Sequence, residues 1–205
     1  MKIESVKNLN ITLLFSAPLN HNNISQQKLL ESFQTGDAQR DVNNFIAAPG
    51  IKVIVFPNQQ KDIIFEANRI LLNEKSGKNP ENSNLVIDLE KIISGNFFGK
   101  EEEINAYGFN YEITAVPDKD DFQVEDLISG RIAKIKKIKS AGVSFVFDEN
   151  NARRLVKIKP LEGARQEFSV SLNIHYSKKD LPSFDDLKKE LIAGFSEFKE
   201  LIAKI

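Results

Sequence analysis

From Phe168 to Tyr176, apolar and polar residues alternate without a break. Phe168, Val170, Leu172, Ile174 and Tyr176 fall on one side, and Ser169, Ser171, Asn173 and His175 on the other. A period of two is what a strand with one buried face requires, and it is incompatible with the 3.6-residue period of a helix. The strand sits inside a longer unit, Gly142 to Gly194. A hairpin precedes it, with arms Val143 to Phe147 and Arg153 to Lys159 around a turn at Asp148 to Asn151. A helix follows, with Ser183 placed as its cap and Asp186 completing a capping box. Phe184, Leu187, Leu191, Phe195, Phe198 and Ile202 trace one apolar stripe along that helix.

A fainter copy of this order runs from Gly50 to Gly95. Lys52 to Phe56 reads as a strand, Pro57 to Gln60 as its turn, and Asp62 to Asn73 as the returning arm. That arm is apolar on both sides, which predicts a central position covered on both faces. Glu74 to Ser83 is a polar loop. Asn84 then caps a helix burying Leu85, Leu89, Ile92 and Ile93, and Gly95 stops it. Ahead of each unit lies a strand ended by proline and then a helix. In the first half these are Ile11 to Ala17, ended by Pro18, and a helix from Ser25, with Ile24 and Leu29 spaced as a hydrophobic staple. In the second half they are Ile104 to Val116, ended by Pro117, and a helix from Phe122 to Ile138. Asp37 to Ala47 has the spacing of one more short helix, with Val42, Phe45 and Ile46 turned inward.

The chain therefore reads twice as strand–helix–hairpin–(strand)–helix. Val53-Ile-Val-Phe56 corresponds to Ser144-Phe-Val-Phe147, and Ile92-Ile-Ser-Gly95 to Leu191-Ile-Ala-Gly194. Strands arriving in hairpins favour antiparallel sheets with packed helices, an α+β fold, over a parallel doubly wound one. The expected organisation is an internal duplication. Residues 1–99 form a first α+β repeat and 100–205 a second, joined at Asn96 to Glu103 and open to fusion into one globular unit.

Composition narrows the chemistry. The 205 residues include no cysteine, which excludes disulfides, thiolate nucleophiles and thiolate metal sites. His21 and His175 are the only imidazoles, so no metal site and no cofactor is expected. No phosphate-cradling glycine loop, dinucleotide fingerprint or Ca²⁺ loop is present. With 28 basic and 29 acidic residues, the net charge of -1 draws the chain toward neither nucleic acid nor an anionic membrane. No apolar run approaches a membrane span, and a cytoplasmic protein is expected.

Local features give three candidates. His175, on the polar side of its strand, is the one place to look for general-base catalysis, although a solvent-facing histidine is the commoner outcome. The run Arg131 to Lys139, with Arg131, Lys134, Lys136 and Lys137, is a candidate nucleic-acid patch. It also ends a helix that begins with Asp118, Asp120, Asp121, Glu125 and Asp126, an arrangement the helix dipole explains without a ligand. Tyr107, Phe109 and Tyr111 form an aromatic stripe. Tyr107 and Tyr111, with Tyr176, are candidate ligand contacts, and core packing is the alternative. The final helix, Phe184 to Ile205, carries extra apolar residues at Ile192, Leu201 and Ile205, which suggests a homodimer through that helix. The leading expectation is a non-enzymatic binding protein whose partner is a peptide, a protein or a small apolar ligand. A small enzyme at His175 and a nucleic-acid binder at Arg131 to Lys139 are the alternatives.

Overall fold

The computed structural model describes residues 1–33, 44–95, 97–99, 102–118, 142–162 and 167–205. They form one nine-stranded sheet: β1 (Lys2–Phe15), β2 (Asn44–Ala48), β3 (Ile51–Phe56), β4 (Lys61–Phe65), β5 (Arg69–Glu74), β6 (Ile104–Val116), β7 (Val143–Glu149), β8 (Ala152–Pro160) and β9 (Phe168–Tyr176). The spatial order is β2-β3-β4-β5-β1-β6-β9-β8-β7, and every pairing is antiparallel. The described helices are α1 (Gln26–Phe33), α2 (Leu85–Ser94) and α3 (Phe184–Lys204). The α+β antiparallel character expected from the hairpins is what the structure has, in a sheet-dominated form.

The two longest strands, β1 and β6, meet at the centre and join the halves into one sheet. Alternation then sorts the side chains. Leu9, Ile11 and Leu13 of β1, Ile70 and Leu72 of β5, and Tyr107, Phe109, Tyr111 and Ile113 of β6 are all buried in one core. The helices cover this face. Tyr111 stacks near Phe195 and Phe198 of α3, and its hydroxyl donates to the Leu191 carbonyl at 2.8 Å. Phe33 of α1 meets Phe56 of β3, and the buried Lys61 of β4 pairs with Asp88 of α2 at 2.8 Å. The caps behave largely as their sequences imply. Ser25 Oγ accepts from the Lys28 amide, and Ser183 Oγ accepts from the Asp186 amide and donates to its carboxylate. At α2, however, the hydroxyl of Ser83, not the side chain of Asn84, accepts from the first-turn amide of Leu85.

Four expectations need correction. Asn44 to Ala48 is strand β2, not the end of a short helix; its spacing of Val42, Phe45 and Ile46 fits a helix, but pairing with β3 decides. Asp62 to Asn73 is two strands, because Glu66 to Asn68 turns the chain. The turn contains no glycine or proline; the Glu66 amide closes it on the Arg69 carbonyl at 2.9 Å, and the Arg69 side chain also meets the Glu66 carboxylate. This hairpin is not covered on both sides: Ile63, Phe65, Ile70 and Leu72 are buried, whereas Ile64 and Leu71 lie half-buried on the opposite face. The first strand begins at Lys2 rather than Ile11. The helix expected at Phe122 to Ile138 lies outside the described residues.

Candidate functional site on the sheet face opposite the described helices

The face opposite the described helices carries a row of amides. Register places Asp62, Asn73, Asn10, Asn110 and Asn173 side by side on β4, β5, β1, β6 and β9. Adjacent strands lie about 4.8 Å apart, close enough for neighbouring carboxamides to bond directly. Here they do. Asn173 Nδ2 donates to Asn110 Oδ1 at 2.5 Å, Asn110 Nδ2 to Asn10 Oδ1 at 2.6 Å, Asn10 Nδ2 to Asn73 Oδ1 at 2.8 Å, and Asn73 Nδ2 to Asp62 Oδ1 at 2.5 Å. The chain of donors ends on a carboxylate, whose other oxygen takes Lys75 at 2.9 Å. All the bonds run the same way, so each polarises the next.

Thr12 adds a second donor to Asn10 Oδ1 at 2.6 Å. A carboxamide has two N–H groups, and among the described residues the row uses one each on Asn10, Asn73 and Asn173. Asn10 is only 3% exposed, so the row is part of the fold as well as of the surface. Asn8 Oδ1, nearby on β1, is buried with no hydrogen-bond partner among the described residues.

A neighbouring row crosses all nine strands in register: Ile46, Val53, Ile64, Leu71, Thr12, Gly108, His175, Arg153 and Asp148. It is aliphatic over β2 to β5 and polar over β9 to β7. Gly108 is required by packing, since a Cβ there would meet the Ile174 carbonyl oxygen at 2.5 Å. Its missing side chain also leaves a gap between Thr12 and His175. A depression of about 390 Å³ opens over Thr12, Gly108, Asn110 and His175. A second, of about 390 Å³, adjoins it over Glu112, Lys157 and Ser171 and shares Asn110 and Asn173 with the first.

The sequence-derived candidates divide cleanly. His175 does reach this face. It borders a further depression of about 420 Å³ with Asp148, Arg153 and Ser177, but no hydrogen bond or ion pair joins it to Asp148 among the described residues. Tyr107 and Tyr111 lie on the other face, fully buried under α3, as core rather than as surface contacts. Tyr107 donates to Glu190 at 2.8 Å and stacks on the half-buried Tyr176 at 4.8 Å. Burial raises the ionisation of Tyr107, Tyr111 and Tyr176 above the ordinary phenol range, and Glu190 reinforces it. Arg131, Lys134, Lys136 and Lys137 lie outside the described residues. His21 sits in the turn before α1, with both ring nitrogens buried and no hydrogen-bond partner among the described residues.

The stripe on α3 is turned to its own sheet: Leu187, Leu191, Phe195, Phe198 and Ile202 are buried, and Ile192, Leu201 and Ile205 are half-buried. Among the described residues the exposed large hydrophobics are Ile46, Ile87, Val146 and Leu161, none of them on α3. No group of three histidine or carboxylate side chains among them could hold a metal ion, and none of their helices is long and apolar enough to cross a membrane.

Fold and site define an α+β protein with one antiparallel sheet, its described helices on one side and an amide row on the other. No protein-family model matches the chain, and no curated protein does. Among solved structures it is similar to the TBP of Methanococcus jannaschii, at 10% identity over 98% of both chains with a TM-score of 0.35. A superposition that loose identifies neither a fold family nor a function.

Proposed function

We propose that this chain is a non-enzymatic binding protein built from two copies of one unit, and that its ligand seats across the amide row, on the sheet face opposite the described helices. The observation that carries the proposal is the row itself. Among the described residues it has N–H groups without a partner, on a face bordered by aliphatic residues on one arm and by hydroxyl and charged residues of both signs on the other. Such a surface suits an uncharged ligand rich in hydrogen-bond acceptors with an apolar portion. Among the described residues no nucleophile, base and acid converge on it, and its neutral centre does not favour a polyanion.

The duplication draws support from the same residues. Asn10 and Asn110 are separated by one hundred positions, as are Asn73 and Asn173. In each half the strand pairing joins the members of one set, Asn10 with Asn73 and Asn110 with Asn173. Asn10 also pairs with Asn110, where a pseudo-two-fold axis relating two copies would pass. The helix starts at Asn84 and Ser183, and Gly95 and Gly194 beyond them, keep nearly the same offset. We place the protein in the cytoplasm on its lack of cysteine. We also propose a homodimer through the last helix, where Ile192, Leu201 and Ile205 are half-buried beside a stripe that faces its own sheet.

Native mass spectrometry of the protein, incubated with the small-molecule fraction of its expression host, tests the reading. The intact chain is expected to retain a discrete mass that a folded Thr12→Trp variant, with the depression filled, loses. Absence of any retained mass, or equal retention by the variant, counts against it.

A further inference from the structure

Asn8 Oδ1 is buried and has no hydrogen-bond partner among the described residues. A buried carbonyl oxygen left unpaired costs stability, and folded chains keep few of them without a reason. Asn8 stands opposite Glu112, two residues along β1 from the Asn10–Asn110 pair, and it lines both of the adjoining depressions. Asn110 and Asn173 share that rim with it. Asn173 gives one side-chain N–H to Asn110, and its other N–H has no partner among the described residues. An unpaired acceptor and an unpaired donor therefore border the same space. The residues that line it lie on β1, β5, β6, β8 and β9.

We infer, on the reading that the ligand seats across the amide row, that the group recognised there is itself an amide. Its N–H bonds to Asn8 Oδ1, and its carbonyl accepts the second N–H of Asn173. Two strand spacings and two residues of rise set the Cα atoms of Asn8 and Asn173 about 12 Å apart. Two asparagine side chains with an amide between them fill that gap. In the free chain nothing bonds the Asn8 oxygen, so lifting its carboxamide into the depression gives up no hydrogen bond. A ketone, ester or ether would leave Asn8 unpaired. An ammonium would leave the Asn173 N–H unpaired and set a charge on a neutral row. A site with polar groups awaiting partners rejects ligands that lack the matching donor or acceptor. Asn8 is then a specificity-determining residue, and its unpaired oxygen is satisfied on binding.

NMR titration of the full chain, following the side-chain NH₂ groups of Asn8 and Asn173, tests it with three small probes. δ-Valerolactam carries both N–H and carbonyl, N-methyl-δ-valerolactam the carbonyl alone, and piperidine the N–H alone on a cation. Saturable shifts at both side chains are expected with the lactam, and at least tenfold weaker binding of the other two. In Asn8→Leu the two lactams should bind alike. Its circular dichroism should match the parent and its urea midpoint should be no lower, because the oxygen removed bonds nothing. No binding of δ-valerolactam, equal binding of the probes by the parent, or discrimination that survives Asn8→Leu overturns the inference. A variant that unfolds earlier, or not a folded one at all, overturns it too, since Asn8 would then be structural. A discrete mass retained in native mass spectrometry without lactam preference sinks the amide assignment alone. No retained mass and no shift from any probe sinks the binding face with it.

Discussion

Asn110 donates its side-chain amide to the side-chain carbonyl of Asn10 at 2.6 Å, at the middle of the pairing between the two longest strands. This contact joins the halves through polar groups on a face where aliphatic pairs would be the simpler choice. Replacing either residue by leucine strands a donor or an acceptor on its neighbours. Asn10→Leu is the harsher change, because Asn10 is almost fully buried and bonds three partners. A loss of about 2–3 kcal/mol is expected in urea unfolding, at the upper end of the cost of unpaired buried polar groups.

Arg154 and Glu197 form an unequal pair between β8 and α3. The arginine side chain is 3% exposed and the glutamate 32%, joined by two hydrogen bonds. Removing the glutamate leaves a buried cation, whereas removing the arginine leaves a carboxylate that water reaches. Glu197→Leu is therefore expected to cost about 3 kcal/mol and Arg154→Met distinctly less, the asymmetry being the diagnostic result. Thermal or urea unfolding of both variants measures it.

The three tyrosines give an alkaline limit. All have folded-state ionisation above the ordinary phenol value, principally through burial. A raised value means the folded chain holds the phenolic proton more tightly than the unfolded chain. The contribution is thus fully present below about pH 10 and is lost as pH rises beyond it. Tyrosinate absorbance should appear together with loss of circular dichroism above that pH, not before it.

Gly194 of α3 lies against Tyr111 and Ile174, and a Cβ there would meet the Tyr111 hydroxyl at 2.6 Å and Ile174 Cδ1 at 2.8 Å. Alanine would gain about 1 kcal/mol of helix propensity. Overpacking of about 1–3 kcal/mol opposes that gain, so Gly194→Ala should be net destabilising. Gly99→Ala, with nothing nearer than 3.8 Å, should be close to neutral. Melting temperatures decide both.

Strand β9, strand β6 and the starts of α1 and α3 were legible because each has one clean signal, alternation or a capping side chain. The first ten residues were not. Register shifts between Ile3 and Ser5 and between Val6 and Asn8 break the alternation that would mark a strand. The hairpin at Glu66 to Asn68 was hidden because neither glycine nor proline marks its turn, which a backbone bond from the Glu66 amide to the Arg69 carbonyl closes. The amide row was invisible for a different reason. Its members lie far apart in sequence and only strand pairing assembles them. The shared offset of Asn10 with Asn110 and of Asn73 with Asn173 was the signal that would have exposed it.

The most direct test of the account follows the side-chain NH₂ resonances of Asn10, Asn73, Asn110 and Asn173 by ¹⁵N-resolved NMR as the same small-molecule fraction is added. Saturable shifts at these four amides and at Thr12, with the outer surfaces of α2 and α3 unmoved, are the predicted result. Unchanged amides, or shifts confined to the helices, would contradict a binding face at the amide row.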